Sequence, residues 1–70
     1  MSNHKAWQAM SEYAYEHKIN VFTIGWNSAR IGLVVVMREG HDVPVDAPKT
    51  MKGVPVAWMT FAQAVARSPI

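Results

Sequence analysis

Few side chains in this seventy-residue sequence could do acid–base or metal chemistry. They are three histidines and five carboxylates: His4, His17, His41, Glu12, Glu16, Glu39, Asp42 and Asp46. A catalytic unit also needs a nucleophile or a bound water within about 3 Å of its base. Ser28 lies in a turn-forming stretch without the glycines of a nucleophile elbow, and no Walker, H-E-x-x-H or dinucleotide-binding motif occurs. We therefore predict that the protein is not an enzyme.

Metal and cofactor sites have equally little support. Glu39, His41, Asp42 and Asp46 place hard ligands within eight residues, but their spacing is not that of an EF-hand. The pair His41-Asp42 follows Gly40 and is typical of a turn. The sequence has no cysteine, which excludes a disulfide framework, a zinc-thiolate site and an iron–sulfur cluster. We predict no bound metal and no cofactor.

The cationic residues leave a nucleic-acid interface open as an alternative function. Seven Lys and Arg against five Asp and Glu give a net charge of +2, without a basic run of the kind that phosphate binding favours. The cations would have to be brought together by the fold, and Trp26, Tyr13 or Tyr15 would then stack on bases. The cations that this alternative uses are Arg30, Arg38, Lys49 and Lys52, with Arg67.

Aromatic content favours protein–protein contact over nucleic acid. Three tryptophans and five methionines are many for this length, and Trp26 adjoins turn residues and an arginine, the composition of a binding hot spot. We predict that the contact residues for a protein partner lie on a hairpin and on the loop that follows it. They are Trp26, Asn27, Arg30, Arg38, Lys49, Met51 and Lys52.

The elements that position these residues predict a single small α+β domain over 1–70. Apolar residues at spacings of three and four predict an amphipathic helix over 3–18. β-Branched and aromatic runs predict an antiparallel hairpin, 19–26 with 29–38, and Val43–Val45 predicts a short edge strand. A second apolar periodicity predicts a C-terminal helix over 57–67, with Pro55 just before its start. The expected fold is a small antiparallel sheet flanked by two helices.

The apolar residues exceed what such a sheet buries. Residues 31–37 are apolar on both strand faces, as in a strand covered on both sides, whereas two helices cover only one face. The sequence therefore predicts a homodimer. Its expected interface residues are Val34, Val36, Trp58, Met59 and Phe61. The alternative is a monomer in which the loop over 39–55 covers the second face.

No signal-peptide run and no apolar segment of about 18 residues occurs. We expect a complete small gene product in the cytoplasm, with no membrane association. A small protein without catalytic groups that occupies a surface of a larger host protein would fit this pattern, as accessory or inhibitor proteins of phages and mobile elements do.

Overall fold

A computed structural model describes residues 2–29 and 31–67 of the chain. Its elements, in chain order, are α1 (Ser2–Glu16), β1 (Val21–Trp26), β2 (Leu33–Met37), β3 (Thr50–Met51), β4 (Val54–Met59) and α2 (Phe61–Arg67). The strands form one sheet in the order β1-β2-β4-β3. The predicted α+β class is confirmed. The sheet is mixed, however, because β2 pairs with β4 in parallel while the β1–β2 and β3–β4 pairs are antiparallel.

Helix α1 ends two residues before the predicted boundary, because the backbone turns left-handed at Lys18, with φ of 55°. The N–H of Ile19 donates to the carbonyl of Ala14 at 2.9 Å, and the N–H of Lys18 donates to that of Tyr15 at 3.2 Å. These two bonds are those of a Schellman motif, which satisfies carbonyls that the helix end leaves free. The turn sends the chain back along α1 into β1.

The predicted β1–β2 hairpin is present, with a longer connection than the sequence suggested. The N–H of Asn27 donates to the carbonyl of Gly32 at 2.9 Å, and the Oδ1 of Asn27 accepts the N–H of Ile31 at 3.1 Å. These bonds close a loop before β2 begins at Leu33, so the predicted start at residue 29 is wrong. The register between the two strands also shifts between Val21 and Thr23, as at a β-bulge.

The predicted helix over 57–67 is wrong in its first part, because residues 57–59 belong to β4. Strand β4 alternates, with Val54, Val56 and Trp58 packed on the core and the residues between them on the other side. Pro55 fits there because it precedes Val56, the first residue of β4 that pairs with β2. A proline at the start of a strand removes no ladder bond.

Helix α2 begins at Phe61, where a capping box fixes its start. The Oγ1 of Thr60 accepts the N–H of Gln63 at 3.2 Å, and the Oε1 of Gln63 accepts the N–H of Thr60 at 2.9 Å. This reciprocal pair is the T-x-x-Q form of the motif, which satisfies two backbone donors at a helix start.

The predicted edge strand at Val43–Val45 is absent, and the edge strand lies at Thr50–Met51 instead. The carbonyl of Pro44 accepts the N–H of Ala47 at 3.2 Å, which closes a turn over this segment. Lys52 and Gly53 connect β3 to β4 with φ of 52° and 79°, the two positive values that a type I′ hairpin turn requires. The segment between β2 and β4 thus forms the long crossover that parallel strands need.

The core lies between α1 and one side of the sheet, which we call the core face. Its buried residues come from the helix and from the two central strands: Ala6, Met10, Leu33, Val35 and Val56. Half-buried side chains surround them: Tyr13, Val21, Ile24, Trp26, Met51, Val54 and Trp58. The pairing of Ile24 with Val35 and of Val35 with Trp58 places these residues on the same side of the sheet.

Candidate docking face

The opposite side of the sheet has no helix layer of comparable extent, and we call it the open face. The strand registers assign it seven residues of β1, β2 and β4: Thr23, Gly25, Val34, Val36, Pro55, Ala57 and Met59. Val36 is buried and Val34 is half-buried, whereas Ala57, Pro55 and Thr23 are exposed. No charged side chain is among them. An uncharged sheet face that is only partly covered is the kind of surface that meets a partner.

Helix α2 covers only the end of the open face. Its Phe61 ring meets the Phe22 ring of β1 edge-on, with centroids 5.5 Å apart, and Val36 is 9% exposed at that end. None of the seven residues of α2 is buried. Phe22 and Val65 remain 58% and 54% exposed. The apolar surface therefore continues from the strands onto the helix.

A groove of about 590 Å³ runs beside α2. One wall is the exposed side of the helix, with Ala62, Val65 and Ala66, and the other is the turn after β2, with Glu39 and Asp42. Sequence reasoning did not assign these groove residues to a site. The spacing of 62, 65 and 66, which places them on one side of a helix, was the available signal. The sequence pattern placed these three residues on one stripe, but the wrong start of the helix added Trp58, which packs against the core, to the same stripe.

Three of the seven residues predicted to contact a protein partner are used by the fold itself. Trp26 and Met51 pack against the core, and the Oδ1 of Asn27 holds the loop at Ile31. Arg30 lies outside the described residues. Arg38, Lys49 and Lys52 are exposed.

The cations do not form one patch among the residues that the structure describes. Arg38 follows the end of β2, while Lys52 precedes the start of β4. Since β2 and β4 run in parallel, these two residues lie at opposite ends of the sheet, about five residues of strand or roughly 16 Å apart. The structure therefore separates Arg38 from Lys52, and the nucleic-acid alternative stays a prediction from the sequence.

The predicted interface residues are divided between the two faces. Val34, Val36 and Met59 belong to the open face, and Phe61 lies beside it on α2. Trp58 lies on the core face, where its Nε1 donates to the carbonyl of Pro48 at 2.7 Å. The face that the sequence predicted for Val34 and Val36 is thus present, but Trp58 is not part of it.

The loop with His41 and Asp42 lies between the groove and a second depression next to Tyr13 and His17. Both loop side chains are exposed. The hydroxyl of Thr60, which also lines the groove, accepts the capping bond of α2. Within residues 2–29 and 31–67, no three side chains of His, Asp or Glu come close enough to hold a metal ion.

No protein-family model matches this chain, and neither a curated protein nor a solved structure shows significant similarity to it. In the part of the chain that the structure describes, neither helix has the length and apolar character needed to span a bilayer.

Proposed function

We propose that this protein is a cytoplasmic, non-catalytic protein-binding module that forms a homodimer through its open face. The observation that carries the proposal is the unequal covering of the two sides of the sheet. Both sides are apolar, yet among the elements in residues 2–29 and 31–67 α1 covers one side and only the short α2 reaches the other. Burying such a surface against a second copy is favoured by about 25 cal/mol per Å² of apolar area.

The dimensions of the molecule support a dimer of ordinary size. An interface of that kind buries about 800 Å² on each partner, which is roughly 15% of the 5240 Å² surface of this chain. The molecule is flat, with principal-axis extents of 31 × 28 × 16 Å. One broad face therefore has enough area, and a two-fold axis closes the assembly without leaving a second copy of the face exposed.

Charge also favours a protein occupant over nucleic acid. A surface that binds phosphates needs clustered Lys and Arg, while the open face has none among the residues that the registers assign to it. The role as an accessory or inhibitor protein that acts on a larger host protein stays a prediction from the sequence.

The experiment compares the oligomeric state of the wild type with that of Ala57→Glu. Ala57 is exposed at the centre of the open face, opposite Val34, so a carboxylate there is tolerated by the monomer and would be desolvated in the dimer. Sedimentation velocity from about 1 to 200 µM covers the range in which a micromolar dimer dissociates. We expect a wild-type species of twice the 7.8 kDa chain mass. For Ala57→Glu we expect a dimer Kd at least about tenfold higher.

The matched control is Gln8→Glu, which adds the same carboxylate at an exposed position of α1. It should leave the dimer Kd unchanged. Circular dichroism checks that both variants are folded. A wild-type chain that stays monomeric at the highest concentration would overturn the proposal, as would equal effects of the two substitutions.

A further inference from the structure

We propose that, in the homodimer proposed above, the groove beside α2 is filled by α2 of the second copy, with Arg67 of the partner subunit next to Glu39 and Asp42. This inference rests on the proposed dimer and specifies how its two copies are arranged. The two helices would lie antiparallel across the two-fold axis, with each helix occupying the groove of the other copy.

The first observation is that α2 lacks enough packing within its own chain. A helix of seven residues is too short to be stable alone, since isolated helices shorter than about 12 residues are marginal in water. Its capping box fixes where it starts, but none of its residues is buried. A second helix in the groove would bury the side that carries Ala62, Val65 and Ala66, and the two alanines allow a close approach.

The second observation is charge complementarity between the groove and the helix. Glu39 and Asp42 are exposed on the groove wall, while Arg67 is the charged residue of α2. Arg67 does not line the groove of its own chain and borders a different depression, next to Trp58, Met59 and Gln63. Positions 63 and 67 share the helix side away from the groove. In an antiparallel pair of helices, the side of the partner's α2 that carries positions 63 and 67 faces the groove wall with Glu39 and Asp42, which we call the acidic wall.

The choice of a second copy as occupant follows from these charges and from the continuity of the surface. The groove adjoins the open face through Phe61, so the same two-fold axis can cover both. The helix that fits the acidic wall must carry a cation at its end and small apolar residues beside it. The described chain has such a helix in α2 itself.

The experiment uses charge reversal in two variants. Arg67→Glu places like charges opposite each other in its own homodimer, and the double variant Glu39→Lys with Asp42→Lys does the same. Because two-fold symmetry repeats the contact, each homodimer contains it twice. We expect each variant to dimerise at least about tenfold more weakly than the wild type. A mixture of the two restores opposite charges at both contacts, so native mass spectrometry should show mainly the heterodimer.

The matched control is Glu12→Lys with Glu16→Lys, which makes the same charge change at two exposed positions of α1. It should dimerise as the wild type does and should form no preferred heterodimer with Arg67→Glu. If the wild type is a dimer and the reversed variants dimerise equally well, the arrangement of α2 is wrong while the proposed function stands. A monomeric wild type overturns both. Misfolded variants would give no heterodimer, so recovery on mixing separates a lost contact from a lost fold.

Discussion

The core face and the open face are built from the same three strands, and valine lines both. On the core face, Val35 and Leu33 pack against Met10 of α1, and all three side chains are almost completely buried. On the open face, Val34 is half-buried and Ala57 is exposed. Fifteen residues of helix lie on one side and seven on the other. A strand sequence that is apolar on both sides therefore does not show how much of it the chain itself can cover.

The same difference separates the two helices. Helix α1 ends in a Schellman motif and also attaches to the sheet edge, where the Nε1 of Trp7 donates to the carbonyl of Ile24 at 2.8 Å. That bond occupies an acceptor of the exposed β1 edge, which lowers the tendency of an edge strand to pair with another chain. Helix α2 has its capping box and the edge-on contact of Phe61 with Phe22. Association through strand edges is thus less favoured than association through faces.

The largest expected effect is the difference in stability between shortening a side chain of α1 and shortening a side chain of α2. Met10→Ala removes a side chain that is 0% exposed on the core face, and a buried Met→Ala change costs about 2–5 kcal/mol. Val65→Ala removes a side chain of α2 that is 54% exposed, and we expect less than about 0.5 kcal/mol for it in the dilute monomer. Urea unfolding followed by tryptophan fluorescence at about 0.1 µM, well below the Kd of a micromolar dimer, measures both.

A second measurement repeats the unfolding of both variants at a concentration at which the proposed dimer is formed. At high concentration, the cost of Val65→Ala should rise, because the dimer buries this side chain, while the cost of Met10→Ala should not change. Equal costs for the two substitutions in the dilute protein would contradict the difference between the faces.

The sequence was sufficient to predict the helices and strands whose apolar residues fit one periodicity and no other. Ala6, Met10 and Ala14 recur every four residues and form the buried side of α1, and β2 was predicted with Leu33, Val35 and Met37 on one side and Val34 and Val36 on the other. In β1 the predicted sides of Val21 and Phe22 were exchanged, because the register shift between Val21 and Thr23 places Val21 against the core. It failed at 54–59, because valine and tryptophan there fit a strand pattern and a helix pattern equally well. Pro55 is allowed in the first turn of a helix as well as at the start of a strand, so it did not decide between them.

Two short signals in the sequence would have resolved that segment. Thr60 and Gln63 have the spacing of a capping box, which places the helix start after residue 59. Gly53 between apolar residues is a weaker signal of a two-residue hairpin, because Asn or Asp, and not Lys, usually precedes the glycine. The open face itself was predicted from Val34 and Val36, but the groove was not. Its acidic wall and its helix are about twenty residues apart in sequence, and only the parallel pairing of β2 with β4 brings them together.

The next expected effect is the difference in stability between alanine substitutions at two glycines, one packed against Asn27 and Pro55 and one on the open face. A methyl group at Gly32 would lie 3.1 Å from both the carbonyl oxygen of Pro55 and the Nδ2 of Asn27, so Gly32→Ala should cost about 1–3 kcal/mol through overpacking. A methyl group at Gly25 meets nothing within 4 Å. Gly25→Ala should change the stability of the monomer by less than about 0.5 kcal/mol, or stabilise it slightly.

Thermal unfolding of both glycine variants at low concentration provides the measurement. A Gly25→Ala variant as unstable as Gly32→Ala would mean that the open face is packed in the monomer, contrary to the structure.

The smallest expected effect is at the turn of Lys52 and Gly53, which was not predicted from the sequence. Lys52 has a φ of 52° in the type I′ connection between β3 and β4, and a lysine pays a steric cost in that conformation which asparagine largely avoids. Lys52→Asn should therefore stabilise the protein by about 0.5 kcal/mol, or raise its Tm by roughly 2–4 °C. The control is Lys49→Asn, which removes the same charge at an exposed position without a positive φ. Equal shifts for the two variants would show that the gain comes from charge and not from the turn. Because β3 pairs only with β4 at the edge of the sheet, the dimer Kd should be the same for both variants, which distinguishes this edge from the open face.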